Sequence, residues 1–154
     1  MQNFLRAWSW VAVQMLLLAA LIFWPSHPMW AVSGVWQGIA TLWKAAGLGF
    51  LIVAALGLGK SLTPSPLPKS GAILQTGGLY RWVRHPIYTG VLGWAAGVTL
   101  ASPDLARGVL FGVLCAFFAA KARFEERWLR QQFPNYTDYA ERTPMFVPSW
   151  KNFR

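Results

Sequence analysis

The sequence predicts an all-α integral membrane protein, a bundle of about four transmembrane helices with a cytoplasmic C-terminal helical extension. Of the 154 residues, 55% are hydrophobic and only 12% are charged, which exceeds the apolar content that a soluble core requires. The apolar residues form four runs separated by short polar or proline-containing segments. Basic residues flank these runs, as is typical of membrane helices.

The first run covers about residues 4–24 and contains Arg6 as its only charged residue. At about 1.5 Å rise per residue it is just long enough to cross a hydrocarbon core of about 30 Å. A cleaved signal peptide is the alternative, because Arg6 precedes an apolar stretch and small residues occur near Ala31. The length of the run and the lack of a small-x-small site favour a membrane span.

The second run covers about residues 32–58 and is interrupted by Gln37 and Lys44. An ionisable residue inside a span is a functional candidate. Lys44 therefore has two interpretations, facing a ligand cavity or snorkelling towards the membrane surface.

The third and fourth runs cover about residues 86–101 and 105–120 and predict a membrane hairpin. The turn Ser102-Pro103-Asp104 joins them, and Asp104 is a candidate N-cap for the second helix of the hairpin. Both runs are at the lower limit of length for a span, so we expect little tilt or a partly interfacial position.

The positions of the basic residues predict the orientation of the four runs. The outer connections carry Arg107 and little else. The cations on the predicted cytoplasmic side are Arg6, Lys60, Lys69, Arg81, Arg84, Lys121, Arg123, Arg127, Arg130, Arg142, Lys151 and Arg154. By the positive-inside rule both termini lie in the cytoplasm. We expect the protein in a bacterial inner membrane.

We expect a single membrane domain over residues 1–154. Residues 1–60 hold the two N-terminal spans, residues 61–85 a cytoplasmic strap and a site loop, and residues 86–154 the hairpin and the C-terminal region. The proline-rich residues 62–68 predict a stiff strap.

The net charge of +9 arises from 14 basic and 5 acidic residues. Since the cations flank apolar runs and form no separate basic domain, we expect anionic lipid headgroups as their counterpart and no nucleic acid. Cys115 is the single cysteine, so no intrachain disulfide is possible. The two histidines are far apart in sequence, and we expect no metal site.

A charged helical segment, residues 121–133, follows the fourth run. Glu126 has Arg130 four residues later, and a surface ion pair is one interpretation of this carboxylate. Glu125 points about 100° away around the helix, with Lys121 as a possible partner one turn back. Glu125 is therefore the better candidate for a site carboxylate.

A dense polar cluster, residues 77–90, precedes the third run. Pro86 suits the first position of a helix, and the residue before a proline, His85, is held extended. Arg84 and His85 then lie at a helix N-terminus, where free amide groups and the helix dipole favour an anionic group. Tyr88 follows on the first turn.

Gly90 permits a close approach of backbone or ligand one turn further along this helix. The alternative for the whole cluster is that Arg81 and Arg84 only snorkel to lipid headgroups and that His85 is an incidental interfacial side chain.

These residues carry a resemblance over about residues 74–148. It comprises Arg84-His85-Pro86-Ile87-Tyr88-Thr89-Gly90, a hairpin, Glu125-Glu126, and then Leu129, Phe133, Tyr136, Tyr139, Arg142 and Pro144. The arrangement resembles the C-terminal half of the isoprenylcysteine carboxyl methyltransferase family and of its phospholipid methyltransferase relatives. Pro134 stands where a glycine is common, and the two N-terminal runs match only as hydrophobic helices.

The resemblance implies transfer of a methyl group from S-adenosylmethionine to a lipophilic acceptor at the cytoplasmic membrane face. It implies that Arg84, Glu125 and Arg142 are catalytic, the two arginines facing carboxylates of cofactor or acceptor. The implied cofactor-binding residues are Tyr80, His85, Tyr88, Glu125 and Glu126. S-adenosylmethionine carries a carboxylate, a sulfonium and an adenine, which suit an arginine, a carboxylate or aromatic face, and an apolar wall respectively.

The acceptor remains open between two chemistries. A carboxylate, as in isoprenylcysteine, needs no general base, whereas a phospholipid amine must lose a proton, for which Glu125 or Glu126 is the natural base. Expected partners are a lipophilic small molecule or lipid-modified acceptor and membrane lipids. Two alternatives of other classes are a sterol-reductase-like nicotinamide-dependent enzyme and a non-catalytic membrane protein.

Overall fold

The structure is a computed structural model that describes residues 2–25, 27–63, 65, 71 and 73–148. The predicted all-α class is confirmed for this part of the chain, which contains no strand. The helices are α1 (Gln2–Phe23), α2 (Gly34–Leu58), α3 (Pro86–Ala101), α4 (Leu105–Gln132) and α5 (Tyr136–Arg142). Most of the predicted proline-rich strap and the cations Lys69, Lys151 and Arg154 lie outside the described residues.

Among the described residues, α2 and α4 are long and apolar enough to cross a membrane, judged by length and composition. Two shorter apolar helices are residues 7–23 of α1 and the whole of α3. Large apolar side chains on α2 point away from the protein, among them Leu42 at 72% and Leu56 at 75% exposure. So much exposed apolar surface fits a membrane protein.

The hairpin forms as its sequence predicts. Pro86 occupies the first turn of α3. The Asp104 carboxylate caps α4, since its Oδ1 accepts hydrogen bonds from the backbone N–H groups of Ala106 and Arg107 at 2.8 and 3.2 Å. The predicted fourth span and the charged segment after it form one continuous helix of 28 residues.

Glycines let α2 and α3 pack with their backbones in contact. A Cβ atom on Gly47 would lie 2.2 Å from the backbone nitrogen of Trp94, and one on Gly90 would lie 2.6 Å from that of Leu51. Small residues at such positions are typical of helix pairs in membranes. The close approach expected at Gly90 is therefore made by the backbone of α2.

An apolar core forms where α1, α3 and α4 meet. Its buried side chains are Leu21, Val91, Ala95, Leu114 and Phe118. At one edge of this core the ring of Tyr88 packs on that of Phe118, with centroids 4.9 Å apart. Tyr88 therefore lies at the boundary between the apolar core and the polar side chains of His85 and Glu125.

The segment after α5 folds back onto the start of α3. The backbone N–H groups of Arg84 and His85 donate to the carbonyl oxygens of Pro144 and Met145 at 2.9 and 3.1 Å. The Thr89 hydroxyl donates to the carbonyl of Phe146 at 2.9 Å. These bonds fix Arg84 and His85 and satisfy amide groups just before the helix.

Candidate active site

A cavity of about 390 Å³ lies beside the first turn of α3. Side chains of all five helices and of the segment between α2 and α3 line it. The apolar lining includes Leu51, Leu58, Leu62, Ile73, Leu74, Ile87, Val91, Leu129 and Phe133. The polar lining includes Gln14, Gln75, Tyr80, Arg84, His85, Tyr88, Lys121, Glu125, Tyr136 and Tyr139. The volume falls within the range of small-molecule sites.

His85 lies between the two adjacent carboxylates of α4. Its Nε2 is 3.2 Å from Oε1 of Glu126, and its Nδ1 is 3.7 Å from Oε2 of Glu125. The imidazole is buried and stacks on the Tyr88 ring, with centroids 5.3 Å apart and planes 2° apart. His85 therefore joins α3 to α4 at the cavity wall.

Glu125 is the carboxylate that lines the cavity. Its side chain is 26% exposed, and its Oε2 accepts a hydrogen bond of 2.8 Å from the Tyr88 hydroxyl. This bond joins two residues that the sequence analysis assigns to the site on different helices. The prediction that they bind a cofactor is compatible with their position.

Glu126 lies behind the cavity wall and is 3% exposed. Its Oε1 accepts a hydrogen bond of 2.8 Å from Nε of Arg84, and its Oε2 lies 3.2 Å from Nη2 of Arg130. The predicted pair with Arg130 therefore forms, but the interpretation of Glu126 as a surface carboxylate is wrong. The start of α3 covers this face of α4, so Glu126 has a buried structural environment and does not line the cavity.

The pKa of Glu126 reflects this environment. The residue lies beyond the apolar part of α4, residues 105–120. Burial alone would raise the pKa of its carboxyl, but hydrogen bonds from His85 and Arg84 and their positive charges lower it from 4.5 to about 2. Glu126 is therefore ionised at neutral pH.

Arg84 connects three parts of the chain. Besides the bond from its Nε to Glu126, its Nη1 donates to the carbonyl oxygens of Ala140, at 2.7 Å, and of Thr143. These carbonyls lie at the C-terminal end of α5, where a cation is favourable. Arg84 is one of the residues that line the cavity, yet the contacts of its guanidinium hold Glu126 and the end of α5. Binding of a ligand carboxylate by Arg84 remains a prediction.

Arg142 is not placed with the other predicted site residues. It is the last residue of α5, its side chain is exposed, and it does not line the cavity. The predicted closure of the pocket by Arg142 is therefore not found, because the end of α5 turns this position outwards. Lys44 also lies away from the cavity lining, against Gly97 at the α2–α3 contact.

Three tyrosines form the side of the cavity towards α5. Tyr80 is buried on a 3₁₀ turn, and its carbonyl accepts a hydrogen bond of 2.5 Å from the Tyr139 hydroxyl. Burial raises the pKa of Tyr80, Tyr136 and Tyr139 well above the usual value of 10, so all three are neutral phenols. Tyr80 is a predicted residue of this site, whereas Tyr136 and Tyr139 belong to the resemblance without a predicted role.

Gln14 and Lys121 are cavity residues for which the sequence predicts no site role. The Lys121 ammonium donates a hydrogen bond of 2.6 Å to Oε1 of Gln14, and both side chains line the cavity. Two features of the sequence indicate them. Gln14 is the one amide side chain within the first apolar run, and Lys121 lies four residues before Glu125 on the same face of the helix. Spacing within α4 did not show that α1 supplies a partner.

The fold and the cavity together define a class of protein: a helical protein with membrane-length apolar helices and a largely apolar pocket, lined also by polar side chains, at one edge of its core. Residues 33–136 match the phospholipid methyltransferase family. The match covers most of the chain and both helices of the hairpin. The chain belongs to this family.

Several curated proteins are similar to the chain. Protein-S-isoprenylcysteine O-methyltransferase B of Arabidopsis thaliana is 38% identical over 77 residues, which are 49% of this chain and 39% of the relative. A cobalt-zinc-cadmium resistance protein of Cupriavidus metallidurans is 30% identical over 100% of this chain and 70% of its own length. Methanethiol S-methyltransferase 2 of Bradyrhizobium diazoefficiens is 32% identical over 86% of this chain and 56% of its own length. The chain thus spans between 39% and 70% of these relatives.

Proposed function

We propose that the chain is an integral membrane methyltransferase that takes its methyl group from S-adenosylmethionine and transfers it to a lipophilic acceptor at the cytoplasmic membrane face. The observation that carries this proposal is the hydrogen-bonded pair of Tyr88 and Glu125 in the wall of a largely apolar cavity. Membership of the phospholipid methyltransferase family supports the type of reaction.

The residues present fit the methyl donor. The Glu125 carboxylate is a suitable counterion for a sulfonium or an ammonium group, and the Tyr88 hydroxyl orients it. The apolar side chains of Leu51, Ile87 and Val91 form a wall suited to an adenine ring. Glu125 is therefore the residue that we expect to matter most for binding the donor.

S-adenosylmethionine supplies an already activated methyl group, so the protein must chiefly orient the acceptor and exclude water. The leucine, isoleucine and valine side chains of the cavity lining exclude water, and the neutral phenols of Tyr80, Tyr136 and Tyr139 provide hydrogen-bonding groups without charge. His85 keeps Tyr88 and Glu125 in place, since its imidazole stacks on the Tyr88 ring and lies beside the Glu125 carboxylate.

The membrane topology is part of the proposal. α2 and α4 each have the length of a span, and the shorter apolar helices, residues 7–23 of α1 and the whole of α3, are proposed to complete a four-span bundle. The basic residues between α2 and α3 and after residue 120 support a cytoplasmic position for the cavity and both termini. The proposed location is a bacterial inner membrane.

The proposed acceptor is a carboxylate on a lipid-modified molecule, as in the isoprenylcysteine enzymes. The similarity to relatives named for isoprenylcysteine methylation supports this choice. A phospholipid amine is the second candidate, because Glu125 is a cavity carboxylate that could accept the proton released by an amine.

Binding measurements on the full chain in detergent test the proposal. We expect S-adenosylmethionine and S-adenosylhomocysteine to bind at sub-millimolar concentration by calorimetry, and reduced nicotinamide cofactors not to bind. Labelled S-adenosylmethionine added with membrane lipid extracts should then identify the labelled acceptor. No binding of either adenosyl compound would contradict the proposal, and binding of the nicotinamide cofactor would favour a reductase.

A further inference from the structure

We propose that Lys121 is the anion-binding residue of the cavity and that its ammonium holds a carboxylate of a bound small molecule. The inference rests on the proposed methyltransferase function and extends it, because it assigns the recognition of negative charge to a residue outside the predicted site.

Lys121 is a cation built into the cavity wall. It is 1% exposed, yet it is one of the residues that line the cavity. Its Nζ donates to Oε1 of Gln14 at 2.6 Å and lies 5.3 Å from the centroid of the Tyr88 ring. These two contacts orient the ammonium, and a charge-assisted hydrogen bond from an ammonium to a carboxylate is among the stronger hydrogen bonds in proteins.

Lys121 and Glu125 present opposite charges to the same cavity. They are four residues apart on α4, so their Cβ atoms are about 5–6 Å apart. The Tyr88 hydroxyl donates to Oε2 of Glu125 and orients that carboxylate. A cavity with this pair suits a molecule that carries a carboxylate for Lys121 and a positive centre for Glu125.

A carboxylate could reach Lys121 from two sources. One is the amino-acid end of the methyl donor, which carries a carboxylate near its sulfonium. The other is an anionic acceptor, whose apolar chain would lie against the leucine and valine side chains of the lining. The chemistry at Nζ is the same in both cases, and matched probes separate them.

The experiment compares four forms of the full chain in detergent by calorimetry. They are the wild type, Lys121→Met, Lys121→Arg and Arg123→Met; the last removes a positive charge from an exposed position on the same helix. For the donor, S-adenosylhomocysteine is compared with methylthioadenosine, which lacks the amino-acid carboxylate. For the acceptor, octanoate is compared with octylamine.

We expect Lys121→Met to weaken binding of one carboxylate probe by about 10- to 100-fold, as for the loss of a charge-assisted hydrogen bond. Binding of its uncharged or cationic counterpart should stay unchanged, and Lys121→Arg should retain most of the affinity. A loss for S-adenosylhomocysteine identifies the donor as the source, and a loss for octanoate identifies the acceptor. Arg123→Met should bind all probes as the wild type does.

Two results would overturn the inference. In the first result, Lys121→Met binds both carboxylate probes with wild-type affinity. In the second, it loses affinity for carboxylate and non-carboxylate probes equally. Either result would mean that Lys121 serves only to connect α4 to α1 through its hydrogen bond to Gln14. If the wild type bound neither S-adenosylhomocysteine nor methylthioadenosine, the proposed function would itself fail, and the inference with it.

Discussion

The Tyr88 hydroxyl donates a 2.8 Å hydrogen bond to Oε2 of Glu125, and this bond joins the first turn of α3 to the charged half of α4. The next residue along α4, Glu126, faces away from the cavity. Its carboxylate accepts a hydrogen bond from Arg84 and lies 3.2 Å from Nε2 of His85. Two adjacent carboxylates thus have different roles, since one lines the cavity and the other holds its wall together.

Glu125→Gln should abolish donor binding or reduce it at least tenfold while the protein stays folded. The amide keeps the shape of the side chain but removes the negative charge that a sulfonium or ammonium group requires. Calorimetric titration with S-adenosylhomocysteine measures the effect, and the melting temperature in detergent serves as the control for folding. Wild-type affinity in this variant would show that Glu125 does not contact the donor.

Glu126→Gln should destabilise the protein. The change leaves Arg84 without its buried carboxylate, and breaking a buried ion pair from one side typically costs about 3–5 kcal/mol. We expect a clear fall in the melting temperature in detergent. Glu141→Gln, at an exposed position of α5, is the matched control and should melt like the wild type.

The contribution of Glu126 to the stability of the protein should change with pH only in acid. Hydrogen bonds and positive charges from His85 and Arg84 outweigh burial and lower the pKa of this carboxyl to about 2 in the fold, from 4.5. Because the folded-state pKa is the lower one, the stabilisation is present in full above pH 4.5 and is lost as the pH falls towards 2. The melting temperature, measured at pH values from about 8 to about 3, should therefore fall more steeply below about pH 5 in the wild type than in Glu126→Gln.

Gly90→Ala should weaken the packing of α2 on α3. The added Cβ would lie 2.6 Å from the backbone nitrogen of Leu51, and overpacking of this kind costs about 1–3 kcal/mol. Gly112→Ala on α4 is the control, because no heavy atom lies within 4 Å of the Cβ it would add. A lower melting temperature for Gly90→Ala alone is the expected result; equal effects would contradict the close backbone contact.

Arg142→Ala should leave donor binding and methyl transfer within about twofold of the wild type. Its exposed side chain lies outside the cavity lining, and loss of an exposed charge has little effect on a site it does not touch. The measurement is the transfer of label from S-adenosylmethionine, with Glu125→Gln as the inactive reference. A tenfold loss in Arg142→Ala would restore the role that the resemblance implies.

The elements of this fold follow from local sequence. Pro86 and Asp104 predict the starts of α3 and α4 because each acts on its own turn, through a missing N–H group or through a carboxylate that caps nearby amides. The motif around Arg84 and His85 and the pair Glu125-Glu126 also point to one site. Capping and proline effects within single turns were sufficient to predict the starts of these helices, and the resemblance was sufficient to group the two motifs at one site.

The direction of each side chain at the site depended on packing between helices. Spacing within α4 separated Glu125 from Glu126 by about 100°, but only the position of α3 decides which carboxylate is buried against Arg84. Likewise, α1 supplies Gln14 to Lys121 from 107 residues away, and the end of α5 turns Arg142 outwards.

The four apolar helices, their order and some of the residues at the cavity follow from the sequence alone, because helix propensity, capping and apolar runs are local properties. Only the tertiary structure decided that Glu125 and Lys121 face the cavity, that Glu126 stands behind it and that Arg142 lies outside it. The physical reason is that burial and ion pairing depend on distances between segments far apart in the chain, and such distances exist only after the helices pack.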